Sequence, residues 1–231
     1  MANRLPVIAL DGPAGSGKST IAKLVAKRLG IHYIDTGAMY RAVTLMALRE
    51  KIDTKNEVDL VALAKRCNIE FKYEEKGLKV LVNGQDVSED IRLPEVSKSS
   101  SDIADSIGVR KHLVALQQKM GEAGGFILDG RDIGSLVFPD AEFKFYLDAS
   151  VEERVKRRYK ELKARNIEQT QEEVKKDILA RDKRDKDRPF GALKQVPDAV
   201  RVDTSELSID EVVNTIASRI HTKEDTKEID E

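Results

Sequence analysis

Eight consecutive residues, Gly12-Pro13-Ala14-Gly15-Ser16-Gly17-Lys18-Ser19, follow the pattern G-x-x-x-x-G-K-[ST] without a mismatch. The chemistry of that pattern is phosphate binding. Its glycines let the backbone turn so that successive N–H groups converge into a concave nest for phosphate oxygens. A helix opening at Lys18 adds its N-terminal donors and the positive end of its dipole. The Lys18 ammonium can reach β and γ phosphates, and the Ser19 hydroxyl can ligate Mg²⁺. The plain alternative is a glycine turn that merely joins a strand to a helix. The phosphate reading requires that same strand and helix, and the flanking residues predict both.

Two other groups of side chains suit the same chemistry. Phe126-Ile127-Leu128 is an apolar strand ending on Asp129, a carboxylate positioned to organise Mg²⁺ directly or through water. Arg181, Asp185 and Arg188 lie at i, i+4 and i+7, so one helix face carries all three. Two guanidiniums around a carboxylate can clamp phosphate and sugar hydroxyls. The same spacing also builds a salt-bridge ladder on a solvated helix, and the spacing alone leaves both readings open. Arg154, Arg157 and Arg158 form a second basic face one helix earlier, and Lys163-Ala164-Arg165-Asn166 reads as the link between the helices. Such a hairpin, centred on about 154–166, would make a lid that excludes water and brings arginines onto a transferring phosphate.

The elements that must hold these residues follow from pattern. Val7–Leu10 reads as a buried strand and Lys18–Leu29 as a helix with an apolar stripe at Ile21, Leu24, Val25 and Leu29, stopped by Gly30. Strand, loop, helix is the opening unit of a parallel α/β sheet. Ile31–Ile34 continues it as a strand, with Thr36 as the expected N-cap of a helix running to about Glu50. A helix is expected over Glu57–Arg66. Residues 69–87 turn β-rich around Lys76-Gly77 and Asn83-Gly84, which predicts an antiparallel hairpin or three-stranded insert. Two helical segments follow Pro94. Further strands are expected at Phe126–Leu128, Phe143–Leu147 and Val200–Val202, and helices at Val151–Lys163, Gln171–Lys186 and Ile209–Ile220. Residues 222–231 are charged and lack apolar periodicity, which predicts a disordered tail.

Composition narrows the class. With 40% apolar and 35% charged residues, the chain has enough material for a core and a polar surface. Leu5–Leu10 is too short an apolar run for a membrane span or a signal core, so no membrane association is expected. A single cysteine, Cys67, excludes an intrachain disulfide and suits a reducing cytoplasm, and its apolar helical setting suits a buried small residue. The three histidines, His32, His112 and His221, are scattered, and no spacing matches a zinc site. Forty basic and 41 acidic residues nearly cancel, so there is no global field for nucleic acid. Between Arg154 and Lys194, however, fifteen basic residues face eight acidic ones, a surplus of seven that suits a small polyanion.

Four segments in order carry a resemblance. They are Ile8–Thr20, Asp35-Thr36-Gly37-Ala38-Met39-Tyr40-Arg41, Asp129-Gly130-Arg131-Asp132-Ile133-Gly134 and Arg181–Arg188. Together they closely resemble bacterial-type cytidylate kinases, and the resemblance runs from residue 5 to about 221. It implies a P-loop nucleoside-monophosphate-kinase fold: a single kinase domain over residues 1–221 with a parallel sheet core, an acceptor-binding excursion over about 36–107 and a helical lid. It implies phosphoryl transfer from ATP with Mg²⁺ to CMP, and to dCMP, in the cytoplasm, by a monomer that binds neither nucleic acid nor membrane. Gly12 to Thr20 and Arg157 would bind ATP, with Ser19 and Asp129 on the metal side. Lys18, Arg131 and Arg188 would act on the transferring phosphate. Thr36, Tyr40, Arg41, Ser101, Arg110, Arg131, Asp132, Arg181, Asp185 and Arg188 would bind the acceptor. Asp132 and Arg110 are the expected readers of the cytosine edge, with a salt bridge to Arg131 as the other role open to Asp132.

Overall fold

The computed structural model describes residues 5–74 and 77–227, which fall into two compact units. The first joins the segment up to Tyr33 with the segment from Ala123 onward; the second is Ile34–Glu122. In the first, five strands stand in the order β2-β6-β1-β7-β8. They are β1 (Val7–Asp11), β2 (His32–Asp35), β6 (Phe126–Gly130), β7 (Phe143–Asp148) and β8 (Val200–Asp203). β1 pairs in parallel with β6 and β7, and β7 in parallel with β8. Every residue of β1 is buried, the run without alternation expected of a strand covered on both faces.

Helix α1 (Lys18–Leu29) packs on β6 and on α8 (Ile209–Lys227). Its buried stripe is Ile21, Ala22, Val25 and Ala26, while Leu24 is exposed. This corrects the expected stripe: the alanines let the helix lie close to its neighbours, which turns Leu24 onto the flank. Gly30 ends α1 in the left-handed conformation at φ 65°, as its position predicts. Helices α6 (Val151–Ala164) and α7 (Gln171–Asp187) pack together over a small core of Val155, Leu162, Val174 and Ile178. A capping box starts α7: Thr170 accepts from the Glu173 amide, and the Glu173 carboxylate accepts from the Thr170 amide.

The second unit carries α2 (Thr36–Arg49), α3 (Glu57–Arg66), the antiparallel sheet β3 (Ile69–Glu74), β4 (Gly77–Val82), β5 (Gln85–Asp86), then α4 (Pro94–Asp105) and α5 (Ile107–Gly121). The β-rich insert is therefore three-stranded. Asn83 and Gly84 both take positive φ, 51° and 80°, the turn their sequence predicts. The turn expected at Lys76-Gly77 falls in part on residues outside the described ones. The unit's core includes Met39, Val43, Leu60, Leu63, Val96 and Leu113. Cys67 lies in it, and burial pushes its thiol up to about 11, as suits a small core residue.

Two expectations at element ends are corrected. The N-cap of α2 is Asp35, whose Oδ1 accepts from the Ala38 amide at 2.8 Å, and Thr36 is the first helical residue. Asp35 precedes Thr36 in the chain and its carboxylate is the stronger acceptor for a first-turn N–H. The expected tail is also shorter. α8 continues through residues 222–227 to Lys227, and 228–231 lie outside the described residues. The added turns hold no glycine or proline to stop a helix, and an absent apolar stripe means only that no face need be buried.

Candidate active site

The phosphate loop leaves the end of the central strand β1, and its conformation is tied to distant segments. Gly12 has φ +150°, and a Cβ there would stand 2.0 Å from the Leu147 carbonyl oxygen of β7, so only glycine fits. Gly17, at φ 89°, is the N-cap of α1, with no side-chain cap and no acidic residue in the first turn. By contrast α2, α3, α5, α6 and α7 are capped by the side chains of Asp35, Asn56, Ser106, Ser150 and Thr170. The first N–H groups of α1 are thus left for an anion.

Lys18 folds back over the loop. Its Nζ donates to the Pro13 carbonyl at 2.6 Å and to Ser16 Oγ at 3.3 Å, and the side chain is buried. Burial lowers its pKa well below the usual lysine value, Arg131 lowers it further, and Asp129 opposes both. Ser19 Oγ donates to Asp129 Oδ2 at 2.7 Å, and Tyr33 donates to the other oxygen at 2.8 Å. A hydroxyl beside a carboxylate is part of a hard-cation donor set, which fits Mg²⁺. Among the described residues no group of three or more His, Cys, Asp or Glu could hold a metal alone. A cation held there would need further ligands from outside the chain. Thr20 lies exposed on the same first turn.

Arg181 and Asp185 lie on α7, but Arg188 is its extended C-cap and not part of the expected helix face, and the set is no solvated ladder. Asp185 and Arg188 are buried, and Asp185 accepts from Arg188 at 2.9 Å and from Arg131 Nε at 2.7 Å. The carboxylate that Arg131 meets is therefore on α7. Burial pushes the Asp185 carboxyl up, but Arg131, Arg181 and Arg188 outweigh it and hold it at about 2. Burial likewise works against the charge on Arg131, and Asp185 reverses the balance and raises it. Arg131, Arg181, Arg188 and Lys18 thus concentrate positive charge beside the phosphate loop, with Arg131 and Arg181 close enough to act on Lys18.

Arg154, Arg157 and Arg158 share one side of α6 but have different surroundings. Arg154 is buried, donating to the carbonyls of Ala149 at 3.1 Å and Ala14 at 3.2 Å and pairing with Asp182 at 2.7 Å. It also backs Gly15, where a Cβ would meet it at 3.2 Å. Arg157 donates to Thr204 Oγ1 at 2.9 Å and to the Thr204 carbonyl at 2.5 Å. Its Nη1 would stand 3.8 Å from a Cβ on Gly17, which brings it beside the loop. Arg158 makes an exposed pair with Glu161.

In the second unit, Asp35 caps α2 with one oxygen and holds Arg41 at 3.0 Å with the other. Tyr40 lies under the buried Arg110, whose guanidinium carbon is 5.3 Å from the ring centre. Arg110 also donates to the Ala104 carbonyl at 3.2 Å. Thr36 is buried at the start of α2, and Ser101 is half-buried on α4.

Four residues of the site's framework receive no role from the sequence: Tyr33 and Thr204, which lie outside the motif segments, and Asp11 and Asp35, which lie within them. Asp11 carried a signal, because it ends an apolar strand as Asp129 does. Its buried carboxylate accepts from the amides of Ile133 and Gly134, both at 2.8 Å. Thr204 follows β8 and donates to the Ser16 carbonyl of the loop at 3.2 Å. Nothing in the types of Tyr33 or Thr204 distinguishes them from core or turn residues.

A phosphate loop at the end of a central parallel strand, an acidic residue on its neighbour and a buried arginine cluster together define a P-loop kinase. The cytidylate kinase family model matches residues 8–222, and the chain belongs to that family. It is 49% identical over 216 residues to a cytidylate kinase of Enterococcus faecalis (strain ATCC 700802 / V583), covering 94% of this chain and 96% of that protein. To a cytidylate kinase of Bacillus cereus (strain ATCC 10987 / NRS 248) it is 49% identical over 211 residues, 91% and 94% of the two chains. A crystal structure of an uncharacterized protein from Eubacterium ventriosum ATCC 27560 matches with a TM-score of 0.51 at 12% identity, over 94% of this chain and 98% of that one. That likeness concerns the fold alone. No helix among the described residues is long and apolar enough to cross a membrane.

Proposed function

We propose that this kinase transfers the γ-phosphoryl group of ATP to the phosphate of CMP, and of dCMP, giving ADP and the cytidine diphosphate. The observation that carries this is the cluster in which the buried Asp185 holds the half-buried Arg131 and the buried Arg188 beside the loop that carries Lys18. A protein buries that much positive charge at a cost, which a bound polyanion offsets. Membership of the cytidylate kinase family supports the choice of acceptor.

Gly12 to Thr20 bind the donor phosphates through loop amides and the open end of α1, and Arg157 closes on the same side. Ser19 and Asp129 hold Mg²⁺, directly or through water; when bound, it neutralises phosphate charge and polarises the donor. Thr36, Tyr40, Arg41, Ser101, Arg110, Asp132, Arg181 and Asp185 bind the monophosphate. An oxygen of its phosphate bonds to the γ-phosphorus as the bridge to ADP breaks. Lys18, Arg131 and Arg188 stabilise the charge that spreads over the equatorial oxygens. No covalent protein nucleophile is needed. The hairpin α6–α7 acts as the lid, and the chain works as a monomer.

The base is chosen by hydrogen-bond polarity. Cytosine offers an amino donor at N4 beside acceptors at N3 and O2, and uracil reverses the first two. Asp132 suits the amino group and Arg110 the acceptor edge. The deciding experiment offers ATP-Mg²⁺ with a panel of nucleoside monophosphates and measures ADP and diphosphate formed. CDP and dCDP formation, with UMP a poor acceptor, is expected; turnover of AMP or a non-nucleotide acceptor in preference to CMP would overturn the reading.

A further inference from the structure

We propose that Asp11 is the positioning residue for base selection: its carboxylate caps the helical turn that begins on Asp132 and so fixes the backbone from which Asp132 projects. The inference rests on the reading of Asp132 as a base-selecting residue. Residues Ile133–Val137 form a π-helical turn, a form often kept at functional sites. Its carbonyl acceptor is Asp132, bonded by the amides of Leu136 at 2.9 Å and Val137 at 3.2 Å. Asp132 is the N-cap of this turn, yet its side chain makes no capping hydrogen bond. Aspartate is among the best capping residues, and Asp35 shows the usual behaviour in this same chain. Here the capping is done from another strand. Asp11 gives one oxygen to the Ile133 amide and the other to the Gly134 amide, both at 2.8 Å.

The first two amides of the turn are thus satisfied without a capping bond from the Asp132 side chain. The arrangement is costly to Asp11, since burial drives its carboxyl up to about 7 against the pull of the two amides. A carboxylate sets a separate oxygen on each of the two N–H groups, whereas an amide of the same size has a single oxygen for both. Gly134 lies directly against this carboxylate: a Cβ there would stand in ordinary contact with Asp11 Oδ2, at 3.4 Å. Asp11 also directly precedes Gly12, so one strand end registers both the phosphate loop and the turn that carries Asp132.

The test compares kcat and KM for CMP, UMP and ATP in the wild type, Asp11→Asn, Asp132→Ala and the double variant. Asp11→Asn keeps one acceptor and should narrow the CMP:UMP preference about tenfold, while KM for ATP stays within about twofold. The double variant should narrow it no further than Asp132→Ala alone. Asp11→Glu keeps both acceptor oxygens but sets them one methylene farther along and should shift the preference the same way by about threefold, which keeps the test open if Asp11→Asn folds poorly. If Asp11→Asn depresses both acceptors equally or raises KM for ATP, Asp11 serves the phosphate loop and the inference falls. Lower thermal stability at an unchanged preference would make it a structural cap only, and also overturns it. An unchanged preference in Asp132→Ala removes the base-reading role itself and the inference with it, whereas narrowing there without narrowing in Asp11→Asn removes only the inference.

Discussion

At the scale of single residues, charge and its burial decide what each side chain does. On the proposed reading Lys18 acts on developing phosphate charge, and its hydrogen bonds reach only Pro13 and Ser16 within its own loop. Lys18→Ala should therefore keep the far-ultraviolet signal and lower kcat by about 10²–10³-fold, and near-normal turnover would remove it from the machinery. Arg188 is buried on Asp185, facing Arg131. Arg188→Ala should lose about 2–4 kcal/mol in kcat/KM for CMP with ATP binding nearly unchanged; wild-type kinetics with CMP would count against that role. Asp185 has a signature in stability as well. Its folded carboxyl sits near 2, below the unfolded value of about 3.9, so the stability it adds is present above pH 4 and lost as pH falls toward 2. The loss is about 2 kcal/mol over that window. Urea unfolding of Asp185→Asn at pH 5 and pH 2.5 should show a shallower fall than the wild type, and an equal fall would exclude the assigned pairing.

At the scale of elements, glycine placement and capping decide which helix end stays open. Gly12→Ala would force a Cβ onto the Leu147 carbonyl. It should abolish nucleotide binding in calorimetry and lower the melting temperature, and retained ATP affinity would show that the loop can move off β7. The apolar runs of β1, β6 and β7 and the helix α3 were legible in the sequence, because period, caps and turn residues agree there. The buried arginine cluster was legible only as spacing. Positions 181, 185 and 188 share a face in any helix, but whether water or Arg131 meets that face depends on a strand some fifty residues earlier. The π turn after Asp132 was not legible, since its cap comes from Asp11 in β1. The capping choice at α2 fell on the wrong neighbour because Asp35 and Thr36 are both good caps one residue apart.

For the whole molecule, near-neutral charge hides a local excess. The chain carries net charge −1, while Arg154–Lys194 alone has fifteen basic residues against eight acidic. The buried pairs Arg154–Asp182 and Arg188–Asp185 leave that surplus of seven unchanged, but the rest of the chain carries −8, so the excess is confined to one segment and no extended field for a large polyanion results. RNA should therefore show no measurable retention in filter binding at about 0.15 M salt, and a steeply salt-dependent affinity would contradict this. The loop Gly12–Ser19 has a further consequence, because its shape is borrowed. Arg154 anchors the Ala14 carbonyl, Thr204 that of Ser16, Asp129 meets Ser19, and Leu147 bars any side chain at position 12. Those supports arrive from more than a hundred residues downstream. The octapeptide is consequently not a portable cassette: transplanted into another strand–helix junction, it would carry the recognisable letters and leave behind the scaffolding that makes them a site.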